Sequence, residues 1–73
     1  NLRGANLAGA DLTSADLRGA LLIGADLANA NLTDADLAGA NLAAAHLDGV
    51  TLTDARYDAS TRWPHGFAPP KAN

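Results

Sequence analysis

The chain has 73 residues, with eight Asp and no Glu against four Arg and one Lys, a net charge of -3, and neither cysteine nor methionine. So short a chain forms one domain at most, and an ordinary single core gives it only about 3–5 kcal/mol, so folding needs regularity, caps or a partner. Disulfides and thiolate metal sites are excluded, no basic patch is offered to nucleic acid, and no apolar run approaches the ~18 residues of a membrane span.

The sequence opens on Asn1, partway through a repeat, which points to a fragment or a processed chain. A five-residue unit then runs without insertion to about Ala59, as in Ala5-Asn6-Leu7-Ala8-Gly9 and Ala10-Asp11-Leu12-Thr13-Ser14. Its central residue is Leu2, Leu7, Leu12, Leu17, Leu22, Leu27, Leu32, Leu37, Leu42, Leu47, Leu52 and finally Tyr57. Two places before each centre stands Ala, or Val50 in one instance, so that slot excludes anything larger than Val.

A helix advances about 100° per residue, so a period of five smears the leucines around every side and buries nothing coherent. The same period fits neither a collagen triplet nor a simple alternating strand. A chain that turns a corner at each repeat instead sends every Leu and every Ala to a shared interior. The corner falls two places after each Leu, where Gly4, Gly9, Gly19, Gly24, Gly39 and Gly49 stand, with Asn29, Asp34 and Asp54 in other instances. These residue types tolerate the positive φ that the third position of a type II turn demands.

Tandem Ala-(Asp/Asn)-Leu-x-x in unbroken phase resembles the pentapeptide repeat proteins. The resemblance implies an all-β fold, a right-handed quadrilateral β-helix with four pentads to a coil, here about three coils. Residues 20 apart then stack ~4.8 Å from one another, so the array is only ~14 Å long. The expected division is a β-helix over 1–59 and a C-terminal cap and tail over 60–73.

Outward residues then carry whatever function exists, and the second and fourth slots of the pentad are free to supply it. Leu21 replaces the usual Asp or Asn, Ile23 follows, and Ala43 stacks above. Leu21, Ile23 and Ala43 are the candidate partner patch, because contiguous exposed apolar side chains mark contact sites. Thr13, Thr33 and Thr53 form a column that reads as a strand preference. Asp34 lies over Asp54, but two carboxylates fall far short of the six or more oxygens calcium takes. Asp16, Asp36 and Arg56, with Arg18 and Asp58 nearby, read as solvated surface ion pairs. His46 and His65 lack a second ligand at metal spacing, and no nucleophile motif or phosphate loop is present. The expectation is therefore no catalytic residue, no cofactor and no metal.

All three aromatic residues, Tyr57, Trp63 and Phe67, fall within the stretch where the pattern fails. They are expected to cap the last coil, since an open β-helix end exposes strand edges and stacked leucines. The segment is similar to the Tyr-Asp-x-x-Thr-x-(Trp/Phe)-Pro-x-Gly-Phe ending of many pentapeptide repeat arrays, matching at Tyr57, Asp58, Thr61, Trp63, Pro64, Gly66 and Phe67. No comparable lid covers Leu2, Leu7, Leu12 and Leu17, so either upstream coils precede them or two chains form a homodimer through the open N-terminal end.

The functional reading is a non-catalytic structural or protein-interaction module, the C-terminal part of a longer repeat protein, binding an unknown protein partner or an upstream domain of its own chain. It binds neither nucleic acid nor membrane, and a cytoplasmic location is favoured. The alternative implied by the resemblance is a DNA-mimic regulator of DNA gyrase or topoisomerase. Residues 1–57 carry seven Asp and three Arg, four net negative charges, whereas ~14 Å of B-DNA carries about eight. That deficit counts against the alternative.

Overall fold

A computed structural model describes residues 1–70; Lys71, Ala72 and Asn73, the end of the expected tail, lie outside the described residues. The chain winds in coils of 20 residues, coil 1 (1–20) and coil 2 (21–40), followed by coil 3 (41–61), which is one residue longer. Parallel bridges join Asn6 to Asp26, Asp11 to Asn31, Asp16 to Asp36 and Leu21 to Asn41, and continue through Asp26–His46, Asn31–Thr51 and Asp36–Arg56. Each bridge spans 20 residues, so four pentads close one circuit.

The corner recurs in every pentad. The Ala N–H donates to the Leu carbonyl three residues earlier, as in Ala5 to Leu2 at 3.0 Å and Ala45 to Leu42 at 2.9 Å. Of the two residues between them, the second has φ of +56° to +73° in all cases, the left-handed region that a type II turn requires at its third position. Ser14 and Ala44 hold this geometry as well, at φ 61° and 60°, although nothing in a Ser or Ala favours it.

Each side contributes only one bridged residue because two of its five residues are spent on the corner. The sides are therefore isolated bridges rather than extended strands, and coil-to-coil cohesion comes from a ladder repeated side by side. In it the Leu N–H donates to the carbonyl of the second-slot residue one coil on, as in Leu7 to Asp26 at 2.7 Å and Leu27 to His46 at 2.8 Å.

Leu22, Leu27, Leu32, Leu37 and Leu42 are fully buried, with Ala25, Ala30, Ala35 and Ala40 packed among them. Stacking explains the size rule: four sides deliver their side chains to one narrow interior, so a Leu from one position needs an Ala from the next. Coil 1 has a neighbour on one side only. Its Leu7, Leu12 and Leu17 are half-buried and Leu2 is 37% exposed.

The register changes once, at the C-terminal end. Asn41 pairs with Arg62, a spacing of 21, because the turn after Tyr57 starts one residue late, with Thr61 N–H donating to the Asp58 carbonyl at 3.1 Å. The extra residue is Asp58. Its Oδ1 accepts from Ser60 N–H at 2.9 Å and from Gly39 N–H at 3.2 Å. The equivalent N–H one coil earlier, on Gly19, donates to the Ala38 carbonyl, so the Asp58 side chain stands in for a main-chain acceptor. Thr61 occupies an Ala slot and is buried; its hydroxyl donates to the Leu37 carbonyl at 2.9 Å and accepts from Asp58 N–H at 3.1 Å.

With the register reset, Trp63 follows Arg62 as Leu42 follows Asn41 and continues the Leu2, Leu22, Leu42 column. Tyr57 meets Trp63 edge-on with ring centroids 5.3 Å apart, and Trp63 stacks on Phe67 at the same separation. All three rings pack against the core.

Candidate interaction surface

The second slot of the pentad is not free. In Asn6, Asp11, Asp16, Asp26, Asn31, Asp36 and Asn41 the side-chain Oδ1 accepts the N–H two residues on, at 3.0–3.2 Å. That N–H opens the corner, so the Asp or Asn pre-folds each turn as an Asx turn does. The expectation that this slot carries function is corrected accordingly: most of its residues hold the fold. Leu21, His46, Thr51 and Arg56 are the departures that give up this bond. The recurrence of Asp or Asn in this slot was the available signal.

The threonine column also has a local cause. Thr13 Oγ1 donates to Asp11 Oδ1 at 2.7 Å and Thr33 Oγ1 to Asn31 Oδ1 at 2.6 Å, within one side rather than between coils. The Asp11 carboxyl is held below its ordinary pKa by that hydroxyl first and by Thr13 N–H second.

On the Leu17 side, Arg18 grips Asp16 with two contacts, Nε to Oδ1 at 2.9 Å and Nη2 to Oδ2 at 2.8 Å, and reaches Asp36 at 3.9 Å. The hydrogen bond from the Arg18 side chain is the main reason the Asp16 carboxyl falls to about 2. Arg56 and Asp58, expected in this cluster, form no ion pair among the described residues; Asp58 is committed to the turn. The fully exposed setting of the Asp16–Arg18 pair leaves it little weight in stability.

The Leu2 side differs from the other three. Its outward slots hold Asn1 and Arg3 in coil 1, Leu21 and Ile23 in coil 2, Asn41 and Ala43 in coil 3, and Arg62 and Pro64 beyond, and none of these is a carboxylate. Leu21 is 37% exposed, whereas Ile23 and Ala43 are half-buried; the expectation that Leu21 and Ile23 are both exposed is corrected for Ile23. An apolar centre with a guanidinium at each end results.

Two shallow clefts, of about 540 and 440 Å³, flank the aromatic segment. His46, Asp48 and His65 line the smaller one, yet among the described residues no three His, Asp or Glu side chains converge as metal ligands do. No helix among the described residues is long and apolar enough to cross a membrane.

The model of the pentapeptide repeats matches in eight copies over residues 1–39 and 15–54, most of the chain. The chain belongs to the pentapeptide repeat family. Among solved structures, this pentapeptide repeat protein is similar to Rfr23, a pentapeptide repeat protein of the cyanobacterium Cyanothece 51142, at 41% identity and a TM-score of 0.44. The match covers 80% of this chain and 43% of Rfr23. It is also similar to alr5209, a pentapeptide repeat protein of Nostoc PCC 7120, at 26% identity and a TM-score of 0.32, covering 90% of this chain and 75% of that one. The chain thus spans less than half the length of Rfr23. No curated protein sequence matches it.

Proposed function

We propose that this pentapeptide repeat chain is a non-catalytic protein-interaction module, a right-handed quadrilateral β-helix whose C-terminal end is closed by Tyr57, Trp63 and Phe67 and whose contact face is the Leu2 side. The observation that carries the reading is the composition of that side. Leu21, Ile23 and Ala43 form its apolar centre, Arg3 and Arg62 bound it, and no carboxylate stands on it. The other sides carry Asp in the same outward slots, mostly engaged in turn bonds. Leu21 gives up such a bond, a local loss that a contact face offsets.

The complementary partner is a protein segment with an apolar residue flanked by carboxylates, for which apolar burial supplies affinity and the rim guanidinium groups set orientation. Family members generally serve as structural or interaction modules, and a cytoplasmic partner fits this reading. The gyrase-regulator reading gains no support from this chain, whose net charge over residues 1–57 is about half that of a B-DNA segment of equal length.

A pull-down from bacterial lysate with the chain and with the Leu21→Asp, Ile23→Asp double variant tests the face. Specific loss of a captured protein in the variant supports the reading. An unchanged set of captured proteins rejects this side as the contact face.

A further inference from the structure

The Leu2 side, read above as the contact face, carries Arg3 and Arg62, and neither makes an ion pair among the described residues. The side across the coil from it, built on Leu12, Leu32 and Leu52, is its electrostatic inverse. Asp11, Asp34 and Asp54 stand there with no basic residue, around a block of Asn31, Thr33, Thr51 and Thr53. The carboxylates of Asp34 and Asp54 are exposed and make no ion pair among the described residues. Thr33 Oγ1 donates to Asn31 Oδ1 at 2.6 Å within the side, so its hydroxyl proton is satisfied without water and an apolar neighbour can cover it.

We propose, resting on that reading of the Leu2 side, that its partner is a second copy of this chain, and that chains pack side by side with the Leu2 side of one on the Leu12 side of the next. In a quadrilateral coil opposite sides run in opposite directions. A copy shifted sideways without rotation therefore sets every second slot against a fourth slot at the same coil. Arg3 then faces Asp11 of the partner subunit, Leu21 faces Thr33 of the partner subunit, and Ala43 faces Thr51 of the partner subunit. Arg62 lies one coil beyond Thr53 of the partner subunit, where its long side chain reaches the partner's Asp54.

Charge and polarity select this pairing. In the same register the Leu7 and Leu17 sides set Asp26 or Asp36 against Ile23, and the Leu17 side also sets Arg56 against Ala43. A charge covered by an apolar side chain loses its water and gains nothing in return. The Leu2 side against itself joins Leu21 to Ile23 but leaves Arg3 and Arg62 of both copies without a carboxylate. Of the four sides, the Leu12 side alone meets both guanidinium groups with carboxylates and keeps charge off the apolar centre. The contact is heterologous and its operation is a translation, so it does not close and chains add one after another. The body measures 28 × 22 × 22 Å, so one side gives roughly 500 Å² per partner, below the ~800 Å² of standard interfaces. The association is therefore weak and open-ended, and its ion pairs make it sensitive to salt.

Sedimentation velocity of the 73-residue chain from about 20 µM to about 2 mM at low salt is expected to show a sedimentation coefficient that keeps rising with concentration, and about 0.5 M salt is expected to abolish the rise. Arg3→Asp and Asp11→Arg are each expected to weaken association at least about fivefold, and an equimolar mixture of the two variants to recover most of the loss, because each then meets an opposite charge on the other. Asp11 also holds a turn bond, so Asp54→Asn serves as a second variant: Asn suits the left-handed corner at φ 56° and removes only the carboxylate, and it too is expected to weaken association. The chain has no cysteine, so single cysteines report register. Packed faces sit ~10 Å apart, and a short bis-maleimide is expected to join Leu21→Cys to Thr33→Cys in a mixture while joining neither to itself. A chain that stays monomeric throughout overturns the proposal; if the Leu21→Asp, Ile23→Asp variant still loses a captured protein, the contact face stands and only the second copy falls. Association that stops at a dimer, cross-linking of Leu21→Cys to itself or to Ile23→Cys, or a variant mixture that recovers nothing also overturns it.

Discussion

Replacing Thr61 with Val keeps the side-chain shape and removes one oxygen, and the structure states what that oxygen does. It donates to the Leu37 carbonyl at 2.9 Å and accepts from Asp58 N–H at 3.1 Å, at a residue only 8% exposed. The substitution removes both bonds, so that Asp58 N–H loses its acceptor and the Leu37 carbonyl keeps only the N–H of Ala40 at 2.9 Å; at about 0.5–1.5 kcal/mol per bond, about 2 kcal/mol is expected for the pair. A chain of this size has roughly 4–10 kcal/mol in all, and each kcal/mol moves its midpoint by about 4–8 °C. Thermal unfolding followed by circular dichroism is thus expected to shift down by roughly 8–16 °C for Thr61→Val. Thr61→Ser, which keeps the hydroxyl, is expected to stay within about 1 kcal/mol of the parent. Trp63, the single tryptophan, reports separately by fluorescence on the segment that this hydroxyl anchors. A Thr61→Val chain as stable as the parent, or a Ser variant as damaged as the Val variant, would refute the assignment of the hydroxyl as the anchor.

Leu32→Ala removes a side chain 1% exposed between two other leucines and is expected to cost about 3–4 kcal/mol, whereas Leu2→Ala, at a 37% exposed position with a neighbour on one side only, is expected to cost about 1 kcal/mol; equal losses in urea unfolding would contradict the stacked core. Ala44 holds φ 60°, so Ala44→Gly is expected to stabilise by about 0.5–1 kcal/mol, and Gly24→Ala, at φ 71° with open space around it, to destabilise by a similar amount, both read from denaturation midpoints. The Asp16 carboxyl, depressed to about 2 chiefly by its hydrogen bond from Arg18, lies below its unfolded value of about 3.9. Its contribution is therefore present above that value and lost as pH falls through about 2. A carbon-detected NMR titration of Asp16 is expected to show this low midpoint, and Arg18→Gln to raise it; an unchanged midpoint in that variant would assign the depression elsewhere.

Much of the architecture is legible because each slot has one dominant physical demand. Leu at the centre and Ala two places earlier can only be reconciled by a shared narrow interior, and Leu22 through Leu42 are buried as that requires. Glycine marks the corner because it alone adopts positive φ without cost. Ser14 and Ala44 give no such mark, and their conformation follows only from their neighbours in the ladder. From sequence the second slot reads as free because an Asp or Asn pattern fits both a solvated surface and a local turn bond, and only the Oδ1 geometry distinguishes them. Asp58 is the subtler case. An inserted residue is hard to place where the leucine marker has just been lost, so the 21-residue spacing from Asn41 to Arg62 is hidden in the sequence even though Thr61 and Trp63 read as part of an ending. On the Leu2 side the departure at Leu21 was visible, but the half-burial of Ile23 depends on how closely successive corners stack.

The coil length of 20 residues acts as a phase for any lengthening or shortening of the array. Every side is built from the same pentad, so inserting one pentad between Gly24 and Ala55 leaves each corner and each buried leucine satisfied. It nevertheless rotates everything beyond the insertion by a quarter turn about the axis, so that Trp63 and Arg62 close over a different side from the one that bears Leu21. Only multiples of four pentads keep the end of the chain in line with that side. Stability alone permits growth in steps of five residues, while a surface assembled from Arg3, Leu21, Ala43 and Arg62 permits growth only in steps of 20. The lengths tolerated in a series of such variants would therefore separate what the fold requires from what the surface requires.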